Sequence, residues 1–174
     1  YETHELEEKH SRRVSDLCVA IGKELSFSAR ELAELKTIGL LHDIGKIAID
    51  KAILSKSNTL TDMEWMEIKR PPEIGYRILS SVNDLSEIAQ YVLAHHEHWD
   101  GSGYPKGLKG NKIPFKARII TLADAYDSMT SYRPYCTILP PEEAIKQIRD
   151  GAGQQFDSKL AKIFIKKVVK KHNL

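Results

Sequence analysis

Apolar positions recur at spacings of three and four along most of the chain, the period of helices that bury one face. From Leu6 the stripe runs through Val14, Leu17, Cys18, Ile21 and Leu25 and predicts an amphipathic helix carrying His10. Ser28 and Glu31 have capping-box spacing and open a second helix. That helix runs through Leu32, Leu35, Ile38, Leu40 and Leu41 into His42-Asp43-Ile44-Gly45-Lys46, where Gly45 offers an end. Residues 47–58 lack long periodicity and read as a connector. Thr61 and Glu64 make a second capping pair for a short helix to about Arg70. Pro71-Pro72 must interrupt it, because proline has no amide N–H and disfavours helix in the residue before it. The pattern restarts through Ile74, Ile78 and Leu79.

Asp84 and Glu87 repeat the capping logic and predict a helix over 88–94 that delivers His95-His96 at its end. Residues 98–112 form a long glycine-rich loop. Pro114 suits a first helical turn, and 117–129 is a strongly apolar helix holding Asp124 and Asp127. Two last helices are predicted over 141–149 and 157–171. With no strand alternation, internal repeat, low-complexity tract or interdomain linker, the expected fold class is all-α. The expectation is a single domain over 1–174, a bundle of about five to eight helices around one core.

Length and composition agree with one compact unit, since 174 residues with 41% hydrophobic positions suffice for an ordinary core. Net charge is +2. Lys162, Lys166, Lys167, Lys170 and Lys171 read as the solvated face of the last helix rather than a nucleic-acid surface. Cys18 and Cys136 have no spacing that suggests a zinc knuckle or a disulfide framework, so a reducing cytoplasm is the expected compartment. No apolar run approaches the roughly 20 residues of a membrane span, and no signal pattern opens the chain. The first residue is Tyr1, already in helical register, and the expectation is a domain excised from a longer protein.

Candidate chemistry concentrates in His95-His96-Glu97-His98-Trp99-Asp100-Gly101-Ser102-Gly103-Tyr104-Pro105. Elsewhere, Asp124 sits in an apolar helix where an unpaired carboxylate is costly, and it needs a cation. His42-Asp43 poses the same problem within Ile38-Gly39-Leu40-Leu41. Each has a bland explanation alone, as a core histidine bonded to a carbonyl. Imidazole and carboxylate pairs on separate helices, without thiolates, match what a divalent metal such as iron or manganese accepts in a helical core. A carboxylate such as Asp43 can bridge two ions, and bridged pairs about 3.5–4 Å apart are a recurring device for phosphoester hydrolysis.

The sequence resembles the HD-GYP family, the branch of the HD metal-dependent phosphohydrolases associated with hydrolysis of cyclic di-GMP. The likeness covers the whole chain. It rests on His10 with Arg13-Val14, on Leu41-His42-Asp43-Ile44-Gly45-Lys46-Ile47, and on His95-His96-Glu97 with Asp100-Gly101 and Gly103-Tyr104-Pro105. Asp124, Arg133-Pro134-Tyr135 and Gln155-Phe156-Asp157 complete it. The resemblance implies that His10, His42, Asp43 and Asp124 hold one metal ion, with Asp43 bridging to a second held by His95 and His96. It implies Asp43 and Lys46 in catalysis, with Lys46 reaching a phosphate oxygen, and Arg133 and Tyr104 binding substrate. Glu97 and Asp100 are expected to orient histidines, Trp99 to pack, Asp127 to support the site or pair with a cation, and Gly101 and Gly103 to permit loop turns. It further implies a preceding sensor or receiver domain and dimerisation.

Two positions depart from the family pattern. Pro71 stands where the family has a histidine ligand, so the second metal site is expected to be weak or empty. Leu6 replaces a glutamate that some members use for a third ion, which argues against a trinuclear centre. The leading expectation is a cyclic di-GMP phosphodiesterase yielding linear pGpG and, with a second turnover, GMP. The alternatives are a degenerate domain that binds nucleotide or a partner protein, and a phosphohydrolase for another cyclic dinucleotide or a nucleotide.

Overall fold

The computed structural model describes residues 2–54, 59–132 and 137–172. Its regular structure is helical, with an isolated bridge between Ala152 and Phe156 and no strand among the described residues. The main helices are α1 (Glu2–Glu24), α2 (Ala29–Leu41), α3 (Lys51–Leu54), α4 (Asp62–Ile68), α5 (Pro71–Ser80), α6 (Ser86–Ala94), α7 (Phe115–Thr130), α8 (Pro141–Asp150) and α9 (Ser158–Ile163). Both strong capping boxes form: Ser28 and Glu31 cap α2, and Thr61 and Glu64 cap α4, each pair exchanging side-chain and backbone hydrogen bonds.

Four sequence expectations are corrected. Asp84 and Glu87 do not box α6, because a 3-10 turn over Asn83–Leu85 makes Leu85 the N-cap, and Glu87 instead accepts the Tyr91 hydroxyl at 3.1 Å. Gly45 does not end α2. The helix stops at Leu41, and Gly45 lies inside a 3-10 turn, Ile44–Ala48, which with α3 gives structure to the expected connector. Pro71 and Pro72 start α5 rather than merely breaking its predecessor, since the first turn tolerates missing amides. The final helix is α9 followed by a wide π turn, Phe164–Val169, before α-helix resumes.

The core lies where α1 packs between α2 and α7, with α6 beside them and α5 laid over α6. Val14, Cys18 and Ile21 of α1 meet Leu35 and Ile38 of α2, Val92 of α6, Ile120 and Ala123 of α7, and Phe164 from the C-terminal helix. His10 continues the α1 stripe one turn before Val14, which is why it is buried. The helices that make the core therefore also carry the polar residues into it.

Candidate metal centre

Four elements converge on the polar cluster. α1 supplies His10, the end of α2 supplies His42 and Asp43, the end of α6 supplies His95 and His96, and α7 supplies Asp124. His10, His42 and His95 are buried. The ligand atoms of His10, His42 and Asp43 lie within 4.8 Å of one another, and so do those of Asp43, His95 and His96. Asp43 belongs to both groups. His10 Nε2 also lies 3.3 Å from Asp124 Oδ1 and 3.6 Å from Asp43 Oδ2, and His42 Nε2 lies 3.9 Å from Asp124 Oδ1.

The other ring nitrogens fix which atom faces the cluster. His42 Nδ1 donates to Gly39 O at 2.8 Å, His95 Nδ1 to Val92 O at 2.6 Å, and His10 Nδ1 to Asp127 Oδ2 at 2.7 Å. Carbonyls and carboxylates only accept, so Nδ1 carries the proton in each ring, and in the neutral ring Nε2 presents a lone pair. Nε2 of His42 and of His95 are buried and make no hydrogen bond in the structure, although His42 Nε2 passes 3.3 Å from Asp43 Oδ2. Buried donors and acceptors are normally satisfied. Two orphaned imidazole nitrogens facing shared carboxylates are what a divalent cation would complete, and the residues present fit one.

Electrostatics separate the two groups. Burial would raise the Asp43 and Asp124 carboxyls. The charges of His42 and Lys46 beside Asp43, and the His10 hydrogen bond with His42 beside Asp124, outweigh it and hold both well below the usual range. Burial would lower His10, but its bonds to Asp124, Asp127 and Asp43 push it up to about 10. His42 is likewise raised against burial by Asp43. His95 is driven well below its ordinary value by burial and then by His96 and His42, and burial lowers His96 as well. The His10 and His42 rings thus favour a proton, and the His95 and His96 rings favour the neutral form.

Support comes from the surroundings. Lys46 Nζ donates to Asp43 Oδ2 at 2.5 Å. Arg13 donates to both oxygens of Asp127, at 2.6 and 3.1 Å, so Asp127 is at once a cation's partner and the anchor of His10. The Tyr104 ring stacks on His96 with centroids 5.0 Å apart, and its hydroxyl is raised to about 12 by burial and then by Asp124 and Asp43. Gly103 is obligatory for this loop, because a Cβ there would stand 2.3 Å from His98 N and 2.4 Å from His96 O.

Glu97 and Asp100 do not orient histidines. The buried Glu97 carboxylate accepts the backbone N–H groups of Lys106 at 2.7 Å and Leu108 at 2.8 Å, and exposed Asp100 accepts the Ser102 N–H at 2.9 Å. Backbone carbonyls and Asp127 hold the rings instead, a role no side-chain spacing announces. Thr121 was not legible either. Its hydroxyl donates to His95 O at 2.6 Å and fixes the end of α6 to α7. Trp99 packs under the Arg118 guanidinium at 5.2 Å. Arg133 lies outside the described residues.

A profile of the HD domain family matches residues 2–160. This chain is an HD domain. It is 41% identical over 167 residues to a cyclic di-GMP phosphodiesterase of Thermotoga maritima, covering 95% of this chain and 44% of that protein. It is 36% identical over 136 residues to 3'3'-cGAMP-specific phosphodiesterase 3 of Vibrio cholerae, covering 78% of this chain and 30% of that protein. The chain thus spans less than half the length of these relatives. An HDGYP protein from Bdellovibrio bacteriovorus has the same fold, with a TM-score of 0.75 at 20% identity over 94% of this chain and 52% of that one. The HD-GYP assignment holds for this HD domain, whose His42-Asp43 and Gly103-Tyr104-Pro105 segments both border the cluster. Divalent-metal binding agrees with the family and the His/Asp cluster. No helix among the described residues is long and apolar enough to cross a membrane.

Proposed function

We propose that this HD domain is a metal-dependent phosphodiesterase that opens cyclic di-GMP to linear pGpG, with GMP formed only by a second turnover. The observation that carries the reading is Asp43, shared by two three-residue ligand groups and flanked by orphaned imidazole nitrogens. On this reading His10, His42, Asp43 and Asp124 hold one divalent ion, and Asp43, His95 and His96 hold a second, iron or manganese in each case. Such ions supply Lewis acidity at a phosphoryl oxygen. Lys46, salt-bridged to Asp43, offers charge to a phosphate oxygen, and Tyr104 borders the substrate beside His96. Arg133 is assigned to substrate binding from the motif alone. The test is incubation of the purified chain with cyclic di-GMP under manganese and under reduced iron, with products separated by chromatography. Cyclic di-GMP left intact under both would overturn the proposal.

A second reading is motivated by Pro71. It is buried at the first position of α5 and has no donor atom in its side chain, which leaves the Asp43, His95 and His96 group with three ligands. A weak second site would make the domain a binder of nucleotide or of a protein rather than an enzyme. Pro71→His discriminates the two: activity appearing only in the variant, with metal content rising, favours the binding module. The likeness to a 3'3'-cGAMP-specific enzyme keeps other cyclic dinucleotides in the substrate panel. From the family resemblance we also propose a cytoplasmic signalling protein in which this domain follows a sensor or receiver and pairs with a second copy; the chain covers 44% of the Thermotoga maritima relative.

A further inference from the structure

Two helix ends meet beside the metal centre. A Cβ on Gly45 would stand 1.9 Å from Pro71 O and 2.8 Å from Gly75 N, so the turn after His42-Asp43 lies directly against the start of α5. Lys46 is the next residue on one side of this contact. Lys69, the C-cap of α4, is two residues before Pro71 on the other. The prolines end α4 at this point and fix the direction of the chain leaving Lys69.

The two cations at the end of α4 have different surroundings. Arg70 donates to both oxygens of Glu67, at 2.9 and 2.7 Å. Lys69 has no carboxylate within ion-pair distance among the described residues, and its ammonium stands 5.6 Å from the centroid of the Tyr104 ring. That ring in turn stacks on His96 at 5.0 Å. An exposed lysine without a counter-ion, held over an aromatic ring that touches a candidate ligand, is placed to meet an anion arriving at the centre. Lys46, beside the same Gly45–Pro71 contact, is already engaged by Asp43.

Two cations beside one cluster, one paired to Asp43 and one over Tyr104, suit a ligand with two phosphates. We infer that Lys69, carried over Tyr104, binds the phosphate of a cyclic dinucleotide that is not being cleaved, while Lys46 serves the one that is. The inference rests on the proposed activity. Lys69 is then a specificity-determining contact: it favours substrates with a second phosphate and contributes little to those with one.

The experiment compares the full chain with Lys69→Met and Lys69→Arg, under manganese, on cyclic di-GMP and on bis(p-nitrophenyl) phosphate, which has a single phosphate. Loss of one charged contact should raise KM for cyclic di-GMP about tenfold in Lys69→Met with kcat within about twofold. KM for bis(p-nitrophenyl) phosphate should move less than about twofold, and Lys69→Arg should recover most of the loss. Equal losses on both substrates, or an unchanged KM for cyclic di-GMP, would overturn the inference while leaving the activity standing. Calorimetric binding of cyclic di-GMP in calcium provides the second readout. If the native chain binds without cleaving, the proposed activity fails, and about tenfold weaker binding by Lys69→Met still upholds the contact. If the native chain neither binds nor cleaves cyclic di-GMP, both fall.

Discussion

Asp127 holds His10 at the edge of the His/Asp cluster by accepting its Nδ1 proton while taking two donors from Arg13. Partners of this kind fix ring orientation and ligand basicity, and their loss typically costs 10- to 100-fold in metal affinity. Asp127→Asn should therefore weaken the tighter manganese site by about that factor, read by competition with a metallochromic dye, with helicity unchanged by circular dichroism. Proton linkage separates the two groups. His10, raised to about 10, carries a proton at neutral pH that an ion on Nε2 must displace. Affinity at that group should fall as pH falls from about 10, by up to about one log unit per pH unit. His95 is held neutral and should release no proton in the same range. Manganese titrations in buffers of different ionisation enthalpy count the released protons. Equal release at both sites would contradict the division.

The connections between elements carry as much of the site as the helices do. The turn over Ile44–Ala48 reaches α5 only because position 45 lacks a side chain. The atoms a methyl would strike are backbone, which cannot swing aside. Gly45→Ala should cost about 3 kcal/mol or more and displace the segments bearing Asp43 and Pro71. Denaturant unfolding measures the first effect and loss of metal content the second. The glycine was visible in the sequence as a helix end, which was the wrong reason: α2 stops three residues before the turn that holds it. The failed box at Asp84 has a similar cause. Capping spacing states that a side chain can reach an amide, while the 3-10 turn over Asn83–Leu85 decides where α6 begins.

Core and candidate metal centre are continuous among the described residues. Phe164 in the π turn is fully buried and meets Tyr126 edge-on at 5.1 Å, on the same helix as Asp124 and Asp127. Phe164→Ala should cost about 3–5 kcal/mol and lower Tm by roughly 10 °C. Metal should act in the opposite direction. An ion at a hundred times its Kd stabilises the folded chain by about 2.7 kcal/mol, so manganese should raise Tm by several degrees and a chelator should reverse it. Asp43→Asn, which removes the shared ligand, should abolish the shift in differential scanning fluorimetry.

Periods, caps and short motifs are local, and the sequence alone determined them: the all-α class, the helices bearing His10 and Asp124, both firm capping boxes, and the histidines and carboxylates that had to be paired once buried. A side chain on a helical stripe is committed to the interior by its immediate neighbours. Which partners it meets there depends on how α1, α2, α6 and α7 pack across long separations in the chain. The family resemblance already implied Asp43 between two histidine groups, but only the tertiary structure decided that Glu97 closes a loop by accepting two amides, and that Gly45 lies against Pro71 with Lys69 over Tyr104. Hydrogen-bond partners and close contacts of this kind are set by the distance between elements, which no spacing along the chain encodes.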